Sequence, residues 1–306
     1  MAGVFGRSRL GLGTWPFGGG LDWGALDETA AQKAVFAALD AGISWIDTAP
    51  VYGDGQSENF LGRVLAGQRE QVWLASKCGL VKNGSWTDHD LRPASVRAQL
   101  EQTLTRLRTD YLDLYQIHYP DPHVPLEDAL GELERLRAEG KIREVGLCNV
   151  SAEQLQQAVK TTRIFSVQNE YSLLHPQAGI DLFETCRQTG VFFIGYGVLC
   201  GGILSGKYKT APNLRRADAR NYFYKCYRAE AFAGAQETVE RVRRVAVQKQ
   251  VPPVAVAIAW ALSHLAVASV LVGARSPKQI AQNVVGMSVQ LTEPEIRFLE
   301  NGHASE

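Results

Sequence analysis

The sequence predicts a closed barrel of eight parallel strands, each followed by a helix, forming a single domain over residues 1–306. Three observations point there. Eight short apolar runs rich in β-branched residues recur along the chain, and helix-periodic stretches separate them. Such alternation implies a parallel sheet. The runs are apolar almost throughout, as strands covered by helices must be. Eight such units fit the length of a (β/α)8, or TIM-barrel, architecture. An open doubly wound sheet is the competing arrangement. Against it, the first strand-to-helix turn has no GxGxxG spacing, since Gly18-Gly19-Gly20 is a plain run.

Taken in order, the strands read as Leu10–Gly13, Ile43–Asp47, Val72–Lys77, Leu112–His118, Ile142–Asn149, Ile164–Asn169, Val191–Tyr196 and Ser269–Gly273. Helical periodicity covers Glu28–Asp40, Val96–Arg106, Leu126–Glu139, Ala152–Val159, Asp181–Thr189 and Ile280–Met287. In Leu126–Glu139, the residues Leu126, Leu130, Leu133 and Leu136 share one face. Two long connections interrupt the pattern, at about 79–92 and about 200–230. The second carries Lys207, Lys209, Arg215, Arg216, Arg220, Lys225 and Arg228 among four tyrosines. Loops of that length in a compact domain read as lids or binding loops. The uncharged stretch Val251–Ala274 reads as a buried helix and a buried strand, not a membrane span.

Bulk composition limits the partners. Apolar residues make up 45% and charged residues 21%, as in a globular protein with a large core. Lys+Arg and Asp+Glu both number 32, so no basic field exists to hold nucleic acid or an anionic membrane. Five dispersed cysteines with no CxxC pair argue against a disulfide framework and against a structural zinc site. Met1–Leu10 has no apolar signal core. The expectation is a cytoplasmic protein that needs no metal; oligomeric state is not legible.

Polar residues fall where the strands end. Asp47 closes the second run and Lys77 the third; His118, Asn149, Gln168-Asn169 and Tyr196 close the next four. In a parallel barrel those ends meet at one mouth, where barrel active sites sit. Asp47, Tyr52, Lys77 and His118 together suggest acid–base work. A phenol titrates near 10. An ammonium about 4 Å away contributes on the order of 4 kcal/mol at an effective dielectric of about 20. At about 1.4 kcal/mol per pKa unit, that can lower the phenol by up to about three units. Asp47 would keep the lysine charged, and His118 can donate to a substrate oxygen.

These residues resemble the aldo-keto reductase family. Asp47-Thr48-Ala49-Pro50-Val51-Tyr52-Gly53 is similar to its D-T-A-x-x-Y-G motif. Lys77 and His118 resemble its catalytic lysine and histidine, and Gly140–Gly146 its G-K-I-R-x-x-G run. The similarity extends from about Leu10 to Asn283. It implies that Tyr52 is the general acid, Lys77 its tuner, Asp47 the partner of Lys77, and His118 the orienter of a carbonyl. It implies a nicotinamide cofactor, with Asn149 and Gln168 on the carboxamide and Tyr196 against the ring. Leu199 and Lys207 would lie near the pyrophosphate. Gly273, Arg275, Gln279 and Asn283 match a G-x-R-x-x-x-Q-x-x-x-N pattern that holds the adenosine 2′-phosphate and adenine. Locally, Ser276 suits an N-cap and Pro277 the first helical turn, a helix start favours phosphate, and Arg275 can clamp it. Arg275 therefore points to NADPH (NADP+).

Three departures stand out. Val198 replaces a frequent proline, Cys148 replaces the serine before the asparagine, and Met1–Arg9 is short for the hairpin that often closes the barrel floor. The expected substrate is a small-molecule carbonyl compound, its pocket lined by Trp15, Trp23, Trp86 and Tyr119. The alternatives are an NAD(P)-dependent sugar or alcohol dehydrogenase and, in another class, a cofactor-binding channel-associated or regulatory subunit. A metal-dependent hydrolase using Asp47, His118, Asp121 and His123 is disfavoured, because no HxH stands on the first strand.

Overall fold

Side chains alternate between the two faces of a strand, so position along each strand decides what the barrel encloses. The computed structural model describes residues 5, 8–84 and 86–302. In chain order its strands are β1 Leu10–Gly13, β2 Trp45–Asp47, β3 Trp73–Cys78, β4 Leu80–Asn83, β5 Trp86–His89, β6 Leu112–Ile117, β7 Ile142–Cys148, β8 Ser166–Glu170, β9 Phe192–Tyr196 and β10 Val267–Gly273. Its helices are α1 Gly20–Trp23, α2 Glu28–Asp40, α3 Gln56–Val64, α4 Pro93–Leu107, α5 Leu126–Ala138, α6 Ala152–Thr161, α7 Gln177–Thr189, α8 Arg220–Phe223, α9 Ala229–Lys249, α10 Pro253–Ser263, α11 Pro277–Val285 and α12 Glu293–Asn301. Eight strands close into a barrel in the order β1, β10, β9, β8, β7, β6, β3, β2, and the paired neighbours are parallel.

The remaining two strands revise one expectation. The segment at about 79–92 is an antiparallel hairpin, with Leu80 opposite His89 and Asn83 opposite Trp86. Its length masked two strands that touch no other sheet. The connection at about 200–230 holds a 3-10 turn at Cys200–Ser205, α8, and a second 3-10 turn at Lys225–Tyr227; α9 then begins at Ala229. Strand ends move by a residue or two. β6 stops at Ile117 and β7 at Cys148, leaving His118 and Asn149 just beyond. Asn149 has φ +56, a left-handed turn that breaks the ladder. Val251–Ala274 contains α10 and β10, and no single described helix is long and apolar enough to cross a membrane.

Local chemistry sets several helix starts. The Asp27 carboxylate accepts from the Ala30 amide at 2.9 Å to open α2. Ser151 and Gln154 form a capping box at α6, and such caps contribute about 1 kcal/mol each. On α5, Leu130, Leu133 and Leu136 are buried while Leu126 is half-buried.

Inside the barrel the side chains stack in layers. The lowest is aromatic. Phe5, Trp45, Trp73, Phe165 and Phe192 meet with centroids between 5.3 and 6.0 Å. A Cβ at Gly11 would lie 2.0 Å from the Trp45 indole nitrogen, so only glycine lets that ring lie across the bore. Ala75, Leu114, Ile194 and Leu271 form an apolar middle layer. The expectation about the barrel floor fell on Met1–Arg9, most of which lies outside the described residues; the described Phe5 packs into that floor. Two residues further along each strand, the layer at the mouth is polar.

Candidate functional site

That upper layer consists of Asp47, Lys77, Gln116, Cys148, Gln168 and Tyr196, from β2, β3, β6, β7, β8 and β9. Asp47 and Lys77 are only 2% and 1% exposed. A charge so deeply buried must be paired and hydrogen-bonded. Lys77 Nζ donates to Asp47 Oδ2 at 2.5 Å, to the Thr48 carbonyl at 2.9 Å and to the Tyr52 hydroxyl at 3.1 Å. Its three donors are thereby used. The other Asp47 oxygen accepts from Gln116 Nε2 at 3.0 Å and Gln168 Nε2 at 3.1 Å. Gln116 Oε1 in turn accepts from Gln168 Nε2 at 3.2 Å and from the Cys148 thiol at 3.6 Å.

Tyr52 reaches this layer from the loop after β2. Two hydroxyl-bearing residues brace the start of that loop: Thr14 Oγ1 donates to the Asp47 carbonyl at 2.8 Å, and Thr48 Oγ1 to Ser57 Oγ at 2.9 Å. Gly53 has φ +65, and a Cβ there would lie 2.0 Å from the Gly18 carbonyl oxygen. Only glycine permits that approach of two backbones, and the approach fixes where Tyr52 points. The Tyr52 and His118 rings stand nearly perpendicular, with centroids 6.1 Å apart.

Burial pushes the Tyr52 phenol up to about 12; Lys77 pulls it down and Asp47 pushes it up, and burial wins. The lowered phenol expected from charge pairing alone is therefore reversed. The Coulomb argument counted the ammonium and left out desolvation of the phenolate. Burial acts to lower the Lys77 ammonium, but Asp47 and Tyr52 outweigh it and hold it above its ordinary value. Burial, then Lys77 and His89, lower His118 well below its ordinary value. At neutral pH this is a protonated phenol, a charged ammonium and a neutral imidazole.

The residues expected around a cofactor flank this core. Asn149 Nδ2 donates to the His118 carbonyl at 2.9 Å, and Asn149 Oδ1 accepts from the Tyr196 hydroxyl at 2.8 Å. Gln168 spends both amide hydrogens on Asp47 and Gln116, so its carbonyl oxygen is what it still has to offer. Leu199 and Lys207 bracket the Cys200–Ser205 turn, and Lys207 is exposed with its ammonium 4.7 Å from the Tyr208 ring centre. Gly273 ends β10. Ser276 caps α11 with Pro277 in its first turn, which carries no acidic side chain. The Gln279 side chain accepts from the Arg275 amide at 2.7 Å, and Asn283 is buried one turn on. The Arg275 guanidinium donates to the carbonyls of Trp23, at 3.0 Å, and Ala25.

The expected pocket residues separate into two groups. Trp15 lies 6.3 Å from the Tyr52 ring and 5.3 Å from Trp23, and Tyr119 stacks on His118 at 5.3 Å. Trp86 stands on the hairpin at 76% exposure and enters none of these ring contacts. Two aromatics the sequence reading did not single out complete the wall: Phe223 and Tyr224, with ring centres 4.9 and 6.4 Å from Trp15. Their signal was the tyrosine-rich connection itself. Gln116 was also missed, although it shares strand parity with Leu114 below it.

Comparison with known proteins agrees with this geometry. A model of the aldo/keto reductase family matches residues 9–301. The chain is 36% identical over 278 residues to aldo-keto reductase YhdN of Bacillus subtilis, covering 89% of this chain and 83% of that protein. It is 31% identical over 309 residues to the NADH-specific methylglyoxal reductase of Escherichia coli, covering 95% and 93%. Among solved structures, the glycerol dehydrogenase of Gluconobacter oxydans superposes with a TM-score of 0.86 at 30% identity, covering 100% of this chain and 98% of that one.

Proposed function

The chain belongs to the aldo/keto reductase family, an NAD(P)H-dependent oxidoreductase acting on carbonyls, and from that premise we propose that it reduces aldehydes or ketones to alcohols with NADPH, using Tyr52 as the general acid. The carrying observation is the three-way bond from Lys77 to Asp47, Thr48 and Tyr52.

The residues present fit a nicotinamide cofactor. Gln168 offers a carbonyl oxygen and Asn149 an amide at the height of Tyr52, and Tyr196 offers a ring beside them. The start of α11 presents backbone N–H groups and Arg275 to an anion. When bound, the nicotinamide supplies the hydride, and the barrel supplies position and field. The Tyr52 hydroxyl gives its proton to the carbonyl oxygen as negative charge develops there. Lys77 then stabilises the phenolate through the 3.1 Å contact, and Asp47 keeps Lys77 charged. Neutral His118 holds the carbonyl oxygen with a ring N–H. The aromatic wall of Trp15, Trp23, Phe223 and Tyr224 excludes water and packs against the apolar part of the substrate.

The raised phenol supports the reductive reading of Tyr52. A tyrosine held near 12 keeps its proton at neutral pH, which suits an acid. A dehydrogenase running the other way needs that group as a base. The reading of NADPH is supported by Arg275 and by the lack of an acidic side chain in the first turn of α11, where a carboxylate would repel a 2′-phosphate.

The experiment is paired. Tyr52→Phe should lower carbonyl-dependent NADPH oxidation by on the order of 100-fold or more while cofactor binding, read by fluorescence, stays within about twofold. Arg275→Ala should weaken NADPH by roughly tenfold or more and leave NADH nearly unchanged. Near-normal turnover in the first variant, or equal loss for both cofactors in the second, overturns the corresponding assignment.

A further inference from the structure

Gln116 belongs to the polar layer, yet the reduction gives it no task. It is fully buried. Its Nε2 donates to Asp47 Oδ1 at 3.0 Å, and its Oε1 accepts from Gln168 Nε2 at 3.2 Å and from the Cys148 thiol at 3.6 Å. As the carboxylate partner of Lys77, Asp47 can only accept, so it fixes which end of the Gln116 amide faces β2. The Gln116 oxygen is thereby turned toward β8. Gln168 meets two acceptors there, Asp47 Oδ1 at 3.1 Å and Gln116 Oε1. Turned end for end, Gln168 would set its own oxygen against both. With Asp47 alone, the Gln168 amide would be held by one hydrogen and its plane could swing about that bond. Gln116 takes the second hydrogen and fixes the plane.

We propose that Gln116 is a positioning residue: it locks Gln168 with its carbonyl oxygen toward the mouth, so that the site demands an N–H from the substituent of the nicotinamide ring. This inference rests on the cofactor reading above. Asn149 is anchored in the same way, since its Nδ2 donates to the His118 carbonyl and its Oδ1 accepts from the Tyr196 hydroxyl. What the two amides have left is one acceptor, Gln168 Oε1, and one donor, the second hydrogen of Asn149 Nδ2. A primary carboxamide carries the matching donor and acceptor. A methyl ketone in its place carries the acceptor only, and leaves the Gln168 oxygen buried without a donor.

The neighbouring strand makes room for this lock. Gly146 on β7 lies opposite Gln116 in the sheet, and a Cβ there would stand 2.9 Å from Gln116 Cγ and 3.0 Å from Ser166 Oγ. A glycine inside a strand marks such a close approach. The Gln116 stem packs into the space that the missing side chain leaves, and a close-packed interior gives it little freedom to change rotamer.

The test is calorimetric binding of NADP+ and of its 3-acetylpyridine analogue, in which a methyl group replaces the amide nitrogen; no turnover is needed. The full-length wild type should prefer NADP+ by about tenfold. Gln116→Met, which keeps the length of the side chain and removes its polar atoms, should reduce that preference to roughly threefold by weakening NADP+ and sparing the analogue. A merely structural loosening would weaken both ligands alike. Gln168→Leu should abolish the preference, and adding Gln116→Met to it should change nothing more, as expected of a residue that acts through Gln168. Should Gln116→Met fail to fold, Gly146→Ala displaces the Gln116 stem with every polar group retained and should lower the preference in the same way. Equal affinity of the wild type for the two ligands overturns the inference. So does a full preference in folded Gln116→Met, or a further loss when Gln116→Met is added to Gln168→Leu. No NADP+ binding by the wild type is a different result: it overturns the proposed function itself, and this inference with it.

Discussion

The floor and the mouth of this barrel are made by the same geometry with opposite chemistry. Trp45 and Asp47 are two residues apart on β2, and Trp73 and Lys77 are four apart on β3; all four point into the bore. At the floor, Phe5, Trp45, Trp73, Phe165 and Phe192 fill the bore with rings, and the Trp45 indole N–H donates to Ser269 at 3.0 Å. At the mouth, an ammonium, a carboxylate and two amides bond one another. The floor gains from burial and loses nothing by being dry. The mouth bears the desolvation of two charges and recovers it only while every partner stays in place. Stability should therefore depend on ring volume below and on pairing above, and turnover on the mouth alone.

The largest effect expected at the mouth is from Lys77→Met. It leaves Asp47 buried with amide donors only, which should cost roughly 3–5 kcal/mol of stability, and turnover of the folded fraction should fall on the order of 1000-fold. A double change, Lys77→Met with Asp47→Leu, removes both charges and should be more stable than Lys77→Met alone, while staying inactive. Denaturant unfolding beside turnover separates the two quantities. If the double change is the less stable protein, pairing is not what sustains the mouth.

At the floor, Phe5→Ala should cost about 3 kcal/mol, at the lower end for a buried phenylalanine because its ring closes the bore from one side. The turnover number per folded molecule should stay within about twofold of wild type. A large fall in turnover with full folding would mean that the layers are coupled through the Ala75–Leu114–Ile194 plane, and the division between floor and mouth would fail.

How much of this was legible follows the same division. Most of the strands could be read because they are largely buried and carry a run of apolar residues, as in β1 and β10; α2 matched its periodicity to the residue. Asp47, Lys77, His118 and Gln168 could be read because each is a polar side chain ending an apolar run, where burial would otherwise select against it. Three things were hidden. The hairpin β4–β5 is exposed and short, so it lacks the apolar run that marks a barrel strand. Gln116 was hidden because its function is to bridge Asp47, Gln168 and Cys148, neighbours that only closure of the barrel supplies. The direction of the Tyr52 shift was hidden because desolvation depends on packing around the ring, which no motif reports.

The smallest effect expected is in the pH dependence, and it sharpens the comparison because the floor has nothing to titrate. Tyr52 holds its proton to about 12 and His118 is neutral throughout the neutral range, so carbonyl reduction should be nearly flat from about pH 7 to about pH 9 as far as these groups decide it. The sign for stability follows from the raised phenol. The unfolded chain gives up this proton near 10 and the folded chain near 12. The contribution of Tyr52 is therefore complete below about pH 10 and is lost as pH rises toward 12. Urea unfolding of Tyr52→Phe should show a shallower alkaline loss than wild type, whereas Phe5→Ala should keep the wild-type slope at a lower level throughout. Equal slopes in wild type and Tyr52→Phe would mean that the phenol is not held protonated by burial at the mouth, and with that the argument for an acid there would go.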